Sequence, residues 1–202
     1  MRKITLLLLF PAFLAISGCS PGALDDPVAA EWRSVMAAKK EWRQAPPGER
    51  LRAHQAYVDR LTSFVRSHPG HARARKVYEE AELEFARLLA SRGEYDRAIQ
   101  YFNSALQSNP GLDEVRSELR AAEARRFVTQ DSLAALRAGM SRDEVLDRLG
   151  HPLPGWSRSM RRGDSVVDSW YYRRPDGGVA GVFFRNGRLF AAEFGHPIRL
   201  QS

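Results

Sequence analysis

Apolar residues recur at three- and four-residue steps through the first two thirds of the chain and switch to alternation near its end. Val28, Trp32, Val35, Met36 and Trp42 mark one helical face, and the stretch Ala-Pro-Pro-Gly-Glu at 45–49 breaks it. Leu51, Tyr57, Val58, Leu61, Phe64 and Val65 mark a second, stopped by His-Pro-Gly-His at 68–71. The same period predicts helices over about 72–91, 95–107 and 112–127. Short breaks between long amphipathic helices predict antiparallel neighbours.

The segment 79–110 carries the most specific helical signal. Gly93, Tyr95, Ala98, Ile99, Phe102, Ala105, Leu106 and Pro110 resemble the second half of a tetratricopeptide repeat in spacing and type. Gly93 suits a tight turn between two helices. Ala98 and Ala105 are small enough for close helix contact, Tyr95 and Phe102 are expected to fill the space between the pair, and Pro110 ends the unit. Glu82 stands where such repeats usually carry a large apolar residue, and Leu89 where an aromatic is common. One repeat cannot bury its own faces, so the helices at 50–67 and 112–127 are expected to flank it.

Beyond residue 130 the pattern changes. Ser141 and Glu144 have the spacing of a capping box at the start of a short helix; Val145, Leu146 and Leu149 give that helix its apolar side, and Gly150 and Pro152 stop it. Alternating runs at 166–174, 178–185 and 188–194 predict three strands, with turns at Asp176-Gly177-Gly178 and Asn186-Gly187. The expected core of this unit is Leu133, Leu136, Val145, Leu149, Trp170, Tyr172, Val182, Phe184, Leu189 and Phe194. The fold class that follows is α+β: an N-terminal antiparallel helical-repeat region, tetratricopeptide-like, over 28–128, then a small ααβββ domain with an antiparallel meander over 131–202.

Gly139-Met140-Ser141, Glu144-Val145, Leu149-Gly150 and Pro152, with Leu136, Trp170-Tyr171 and Asn186-Gly187-Arg188-Leu189, resemble the SmpA/OmlA domain over about 131–195. That family includes a lipoprotein subunit of the outer-membrane β-barrel assembly machine. The resemblance implies a small envelope domain that binds proteins.

The chain opens with Met1-Arg2-Lys3 and an apolar run to Ile16, too short to span a membrane. Ile16-Ser17-Gly18-Cys19 resembles a bacterial lipobox. The resemblance implies removal of residues 1–18, lipidation at Cys19 and a short tether over 19–27. Ser20, in place of an aspartate, implies sorting to the outer membrane, with the body on its periplasmic face. Cys19 is the only cysteine of the 202 residues, so no disulfide forms within the chain. Loss of the two charges at residues 2 and 3 takes the net charge from +7 to +5. A basic chain often binds nucleic acid; an export signal argues against that and leaves anionic lipid or acidic protein as the accessible counter-charge. The arginines at 158, 161, 162, 173, 174, 185 and 188 recur through the C-terminal unit and are expected on a solvated sheet face, with Trp170, Tyr172 and Phe184 on the buried one.

No catalytic constellation is legible: there is no G-x-S-x-G elbow and no phosphate-binding glycine loop. His68 and His71 have no nearby acid or cysteine that would complete a metal set. The sequence therefore predicts no catalytic residue, metal or cofactor. Its leading expectation is a lipid-anchored interaction or scaffold protein in envelope assembly or maintenance. An inhibitor-type periplasmic binding protein is the alternative, and a cell-wall-acting enzyme stands behind it.

Overall fold

The computed structural model describes residues 26–195 and the backbone of 197–198. The lipobox, Cys19 and Ser20 lie outside the described residues. Five long helices come first: α1 (Pro27–Gln44), α2 (Arg50–Ser67), α3 (Ala72–Ala90), α4 (Tyr95–Ser108) and α5 (Asp113–Arg126). Each packs on its neighbours in sequence. The start of α1 is fixed by Asp26, which accepts from the Val28 N–H at 3.0 Å, with Pro27 in the first turn where its missing N–H costs nothing. His71 caps α3 through its ring, Nδ1 accepting from the Ala74 N–H at 3.0 Å.

The core of this array is formed by Val35, Tyr57, Leu61, Phe64, Phe85, Leu89, Ala98, Phe102 and Ala105, among others. Ala98 is fully buried and Ala105 nearly so, which lets the helices approach closely there. Glu82 is also buried. It accepts from the Tyr78 hydroxyl at 2.5 Å and the Ser104 hydroxyl at 3.4 Å, and burial holds its carboxyl above the ordinary range despite those bonds.

Two short helices follow, α6 (Gln130–Ala134) and α7 (Arg142–Leu149), then an antiparallel meander: β1 (Ser157–Arg162), β2 (Ser165–Arg173), β3 (Val179–Arg185), β4 (Arg188–Glu193) and β5 (Pro197–Ile198), in that spatial order. The sheet thus has five strands where the alternation predicts three. The additions are β1 and the two-residue β5 at the two edges. β1 reads Ser-Arg-Ser-Met-Arg-Arg and is exposed throughout, so it has no apolar alternation to betray it; pairing with β2 across a Gly163-Asp164 turn makes it a strand.

A second core, separate from the first, lies between the inner sheet face and α6–α7. Leu133, Leu136, Val145 and Leu149 meet Tyr172, Val182, Phe184 and Leu189, with Trp170 and Phe194 partly buried against them. The capping box of α7 is present: the Ser141 hydroxyl accepts from the Glu144 N–H at 3.2 Å, and the Glu144 carboxylate accepts from the Ser141 N–H at 2.7 Å. Those bonds hold the Glu144 carboxyl below its usual range.

Candidate interaction site

The sequence assigns the marked residues of each half to their own module, yet several of them meet in one joint. Gly93 closes the α3–α4 turn at φ +78°, but a side chain there would also strike the carbonyls of His151 and Pro152, its Cβ landing 2.4 Å from the Pro152 oxygen. Tyr95, expected to fill space within the repeat, reaches the other module: its hydroxyl accepts from the His151 N–H at 2.8 Å. Gly150 ends α7 at φ +78°, and a Cβ would lie 2.1 Å from the Tyr95 hydroxyl. The Tyr172 hydroxyl donates to the Gly150 carbonyl at 3.1 Å. Gly93, Tyr95, Gly150 and Pro152 are therefore a single contact. Burial pushes the Tyr95 and Tyr172 hydroxyls up, so both stay protonated.

A second strip of the joint is charged. The Asp96 carboxylate sits between Arg126 and Arg173. Both guanidiniums also lie over the Phe127 ring, at 4.8 and 5.4 Å from its centre. The Val128 N–H donates to the Arg173 carbonyl at 2.9 Å. Arg173 is thus a joint residue rather than a solvated one, and Arg174 packs over Phe194 while pairing with Asp176. These two correct the expectation that all seven arginines line a wet surface.

Of the remaining signature residues, Gly139 and Met140 close the outer edge of β4. The Gly139 N–H donates to the Leu189 carbonyl and the Leu189 N–H to the Met140 carbonyl, both at 2.8 Å, and Ser141 bridges Arg188. Val145 and Leu149 are buried in the second core. Phe102 is buried in the first, and Pro110 follows the end of α4. All of these serve the fold.

What faces outward is the side of the sheet turned away from α6–α7. Met160 on β1, Val167 on β2, Phe183 on β3 and Phe190 on β4 share it with Tyr171. The Phe183 ring lies across Gly181, where a Cβ would come within 2.8 Å of it. Its edge meets Tyr171, and Phe190 follows at 6.5 Å between ring centres. Phe190 is out of alternation: Phe184 pairs with Leu189 and Phe183 with Ala191, leaving Phe190 as the extra residue of a β-bulge. The bulge turns a large side chain outward beside Leu189, which points in. Met160 and Phe190 remain 56% and 43% exposed, and Arg158, Arg162 and Arg185 frame them. The Arg185 guanidinium lies over the Phe190 ring at 4.8 Å. An aromatic strip bordered by arginines has the composition of a protein-binding patch. The sequence pattern reveals it only in part: alternation about Val182 and Phe184 turns Phe183 outward, but Leu189 and Phe194, both expected in the core, are an odd number of positions apart and leave Phe190 without a consistent face.

His68 and His71, the histidine pair closest in sequence, are otherwise engaged: His71 caps α3, and His68 bonds Glu31 at 2.8 Å. Among the described residues, no three histidine, aspartate or glutamate side chains converge as a metal site. Comparison with models of known families, with curated proteins and with solved structures finds no match to this chain.

Proposed function

We propose that this chain is a lipid-anchored envelope lipoprotein, held at the outer membrane with its body in the periplasm, that acts without chemistry of its own by binding proteins during envelope assembly or maintenance. The observation that carries the interaction role is the outer sheet face. Met160 and Phe190 are about half exposed, so burying the rest of either under a partner contributes about 1 kcal/mol, and the framing arginines favour an acidic partner surface. The resemblance of 131–195 to SmpA/OmlA and of 79–110 to a tetratricopeptide repeat supports the same reading, as both are binding modules. Anchoring rests on the lipobox, Ile16-Ser17-Gly18-Cys19, with Ser20 behind it. Among the described residues no helix is long and apolar enough to cross a membrane.

Two measurements test this. A photo-crosslinking residue in place of Phe190 in the full chain should give one discrete protein adduct in intact envelopes; an adduct equally strong from an exposed helix site such as Arg52 would mean that the patch is not the binding surface. Cys19→Ser should abolish acyl mass and leave any exported chain as an uncleaved precursor. A variant processed to the same mature mass as wild type would end the lipobox reading.

A further inference from the structure

The two edges of the sheet are finished differently. The β4 edge is closed at one end by Gly139–Ser141 and at the other by β5. The β1 edge carries no such cover: all six of its residues are exposed, and among the described residues no backbone bond reaches it except from β2.

The ladder fixes which groups face out. The Tyr171 N–H donates to the Trp156 carbonyl at 2.9 Å, and Ser157 pairs with Trp170. Hydrogen-bonded and non-bonded pairs alternate along an antiparallel ladder, so residues 156, 158, 160 and 162 bond β2, while Ser157, Ser159 and Arg161 turn N–H and C=O outward. The far side of β2 agrees. Val166, opposite Arg161, donates to the Asn186 side chain at 2.9 Å and accepts from the Asn186 N–H at 2.8 Å, so its backbone groups point away from β1. Three successive outward pairs are a template for one more strand.

Side chains set what that strand must be. Arg158, Met160 and Arg162 lie on the outer face beside the aromatic strip, and Arg161 on the other. β1 itself has no acidic residue, and Asp168 behind it is engaged by Arg142 and Ser159. A second copy of β1 would gather six arginines along one seam with no acidic residue of either strand among them, which is repulsive. We propose that β1 is a docking edge for an extended acidic segment of a partner protein, added antiparallel, with the alternation acid–x–apolar–x–acid opposite Arg162, Met160 and Arg158. The inference rests on reading the chain as an interaction protein, and the two fail separately: loss of the Phe190 adduct ends the scaffold reading, and the peptide experiment below decides the edge alone.

The probe is a dye-labelled, end-blocked peptide, Thr-Glu-Val-Phe-Val-Glu-Thr, titrated with the full chain in detergent and read by fluorescence anisotropy. In antiparallel register its two valines face the outward groups of Ser159 and Arg161, and its phenylalanine faces Met160. N-methylation at the valines should weaken binding at least about tenfold, while N-methylation at the phenylalanine leaves it within about twofold. Lysine in place of both glutamates should also cost at least about tenfold. In the protein, Arg161→Pro removes one outward N–H without touching the β2 ladder and should match the valine-methylated result; Arg161→Ala keeps that N–H and should retain most binding. Equal affinity of the two methylated peptides would reduce the effect to charge attraction and overturn strand addition. Absence of saturation by about 1 mM overturns it as well, as does self-association of the chain that Arg161→Pro abolishes. The methylated peptides leave the protein unaltered, so their outcome does not depend on any variant folding.

Discussion

In the helical array His54 is buried against Trp42, with ring centres 3.8 Å apart, and against the edge of Phe85 at 5.0 Å; among the described residues neither ring nitrogen has a hydrogen-bond partner. In the sheet unit Asp168 is buried almost as fully, yet its carboxylate accepts from Ser159 and Arg142. The environments act in opposite directions. Desolvation lowers the His54 pKa to about 4 and keeps the ring neutral. Burial alone would raise the Asp168 carboxyl, but the Ser159 and Arg142 bonds outweigh it and hold the group charged, below its ordinary value. One core tolerates a polar ring by excluding water and charge, and the other keeps a charge by solvating it with side chains. Acid should therefore reach the helical array first.

The largest effect is expected where the two regions touch. Gly93→Ala forces a side chain into positive φ and into the Pro152 carbonyl, and should cost about 3–4 kcal/mol. Calorimetry of a chain of residues 24–202 should show a single wild-type transition splitting into two as the joint opens. A variant that unfolds in one unshifted step would mean the modules do not communicate through this contact.

The pH comparison comes next. His54 has a folded pKa of about 4 against an ordinary 6.5. The unfolded chain binds the proton more readily, so stability is full above 6.5, falls as pH drops toward 4, and falls no further through this group below that. The whole loss is about 3 kcal/mol. Urea unfolding at pH 7 and 4.5 should reveal it, and His54→Leu should flatten the slope across that window. Asp168 has its folded value below the ordinary 3.8, so its contribution is present above 3.8 and lost only as pH falls through that lower value. An unchanged slope in His54→Leu would assign the sensitivity elsewhere.

Asp168→Asn keeps the shape and removes the charge that ties α7 to β2. A cost of about 1–3 kcal/mol is expected, with loss of amide protection in α7 and β2 and little change in α1–α3. Protection lost evenly over the chain would contradict the separation of the two cores. The smallest effect is Phe190→Ser. An exposed bulge residue should change stability by no more than about 0.5 kcal/mol while removing the adduct formed from a crosslinking residue at Met160, and a larger loss would make Phe190 part of the fold rather than of the patch.

Much of the fold is legible in the sequence because local signals agree with one another. Pro and Gly punctuate the helices, the Ser141–Glu144 spacing marks α7, and Asn186-Gly187 marks a hairpin whose two residues do adopt positive φ. The alternating core residues of β2–β4 also point inward as expected. What escapes is non-local or irregular. β1 is a strand only because β2 lies beside it. Gly93 and Tyr95 have sufficient local explanations, which conceal a contact with residues more than fifty positions away. The bulge at Phe190 breaks the period within β4, so that Leu189 and Ala192 both point inward although three positions apart.

The joint also bears on how such a chain can be inherited. Only residues 127–129 separate α5 from α6, which makes that segment the obvious crossover point for exchanging one half with another chain. The fit between the halves is not encoded there. It is divided between Gly93 and Tyr95 on one side of the crossover and Gly150 to Pro152 on the other, so a recombinant joined at the linker would inherit half of a matched set. The two modules must therefore vary together, and a chimera with a new C-terminal unit would need a small residue and an unobstructed carbonyl at the same two places before its halves could seat.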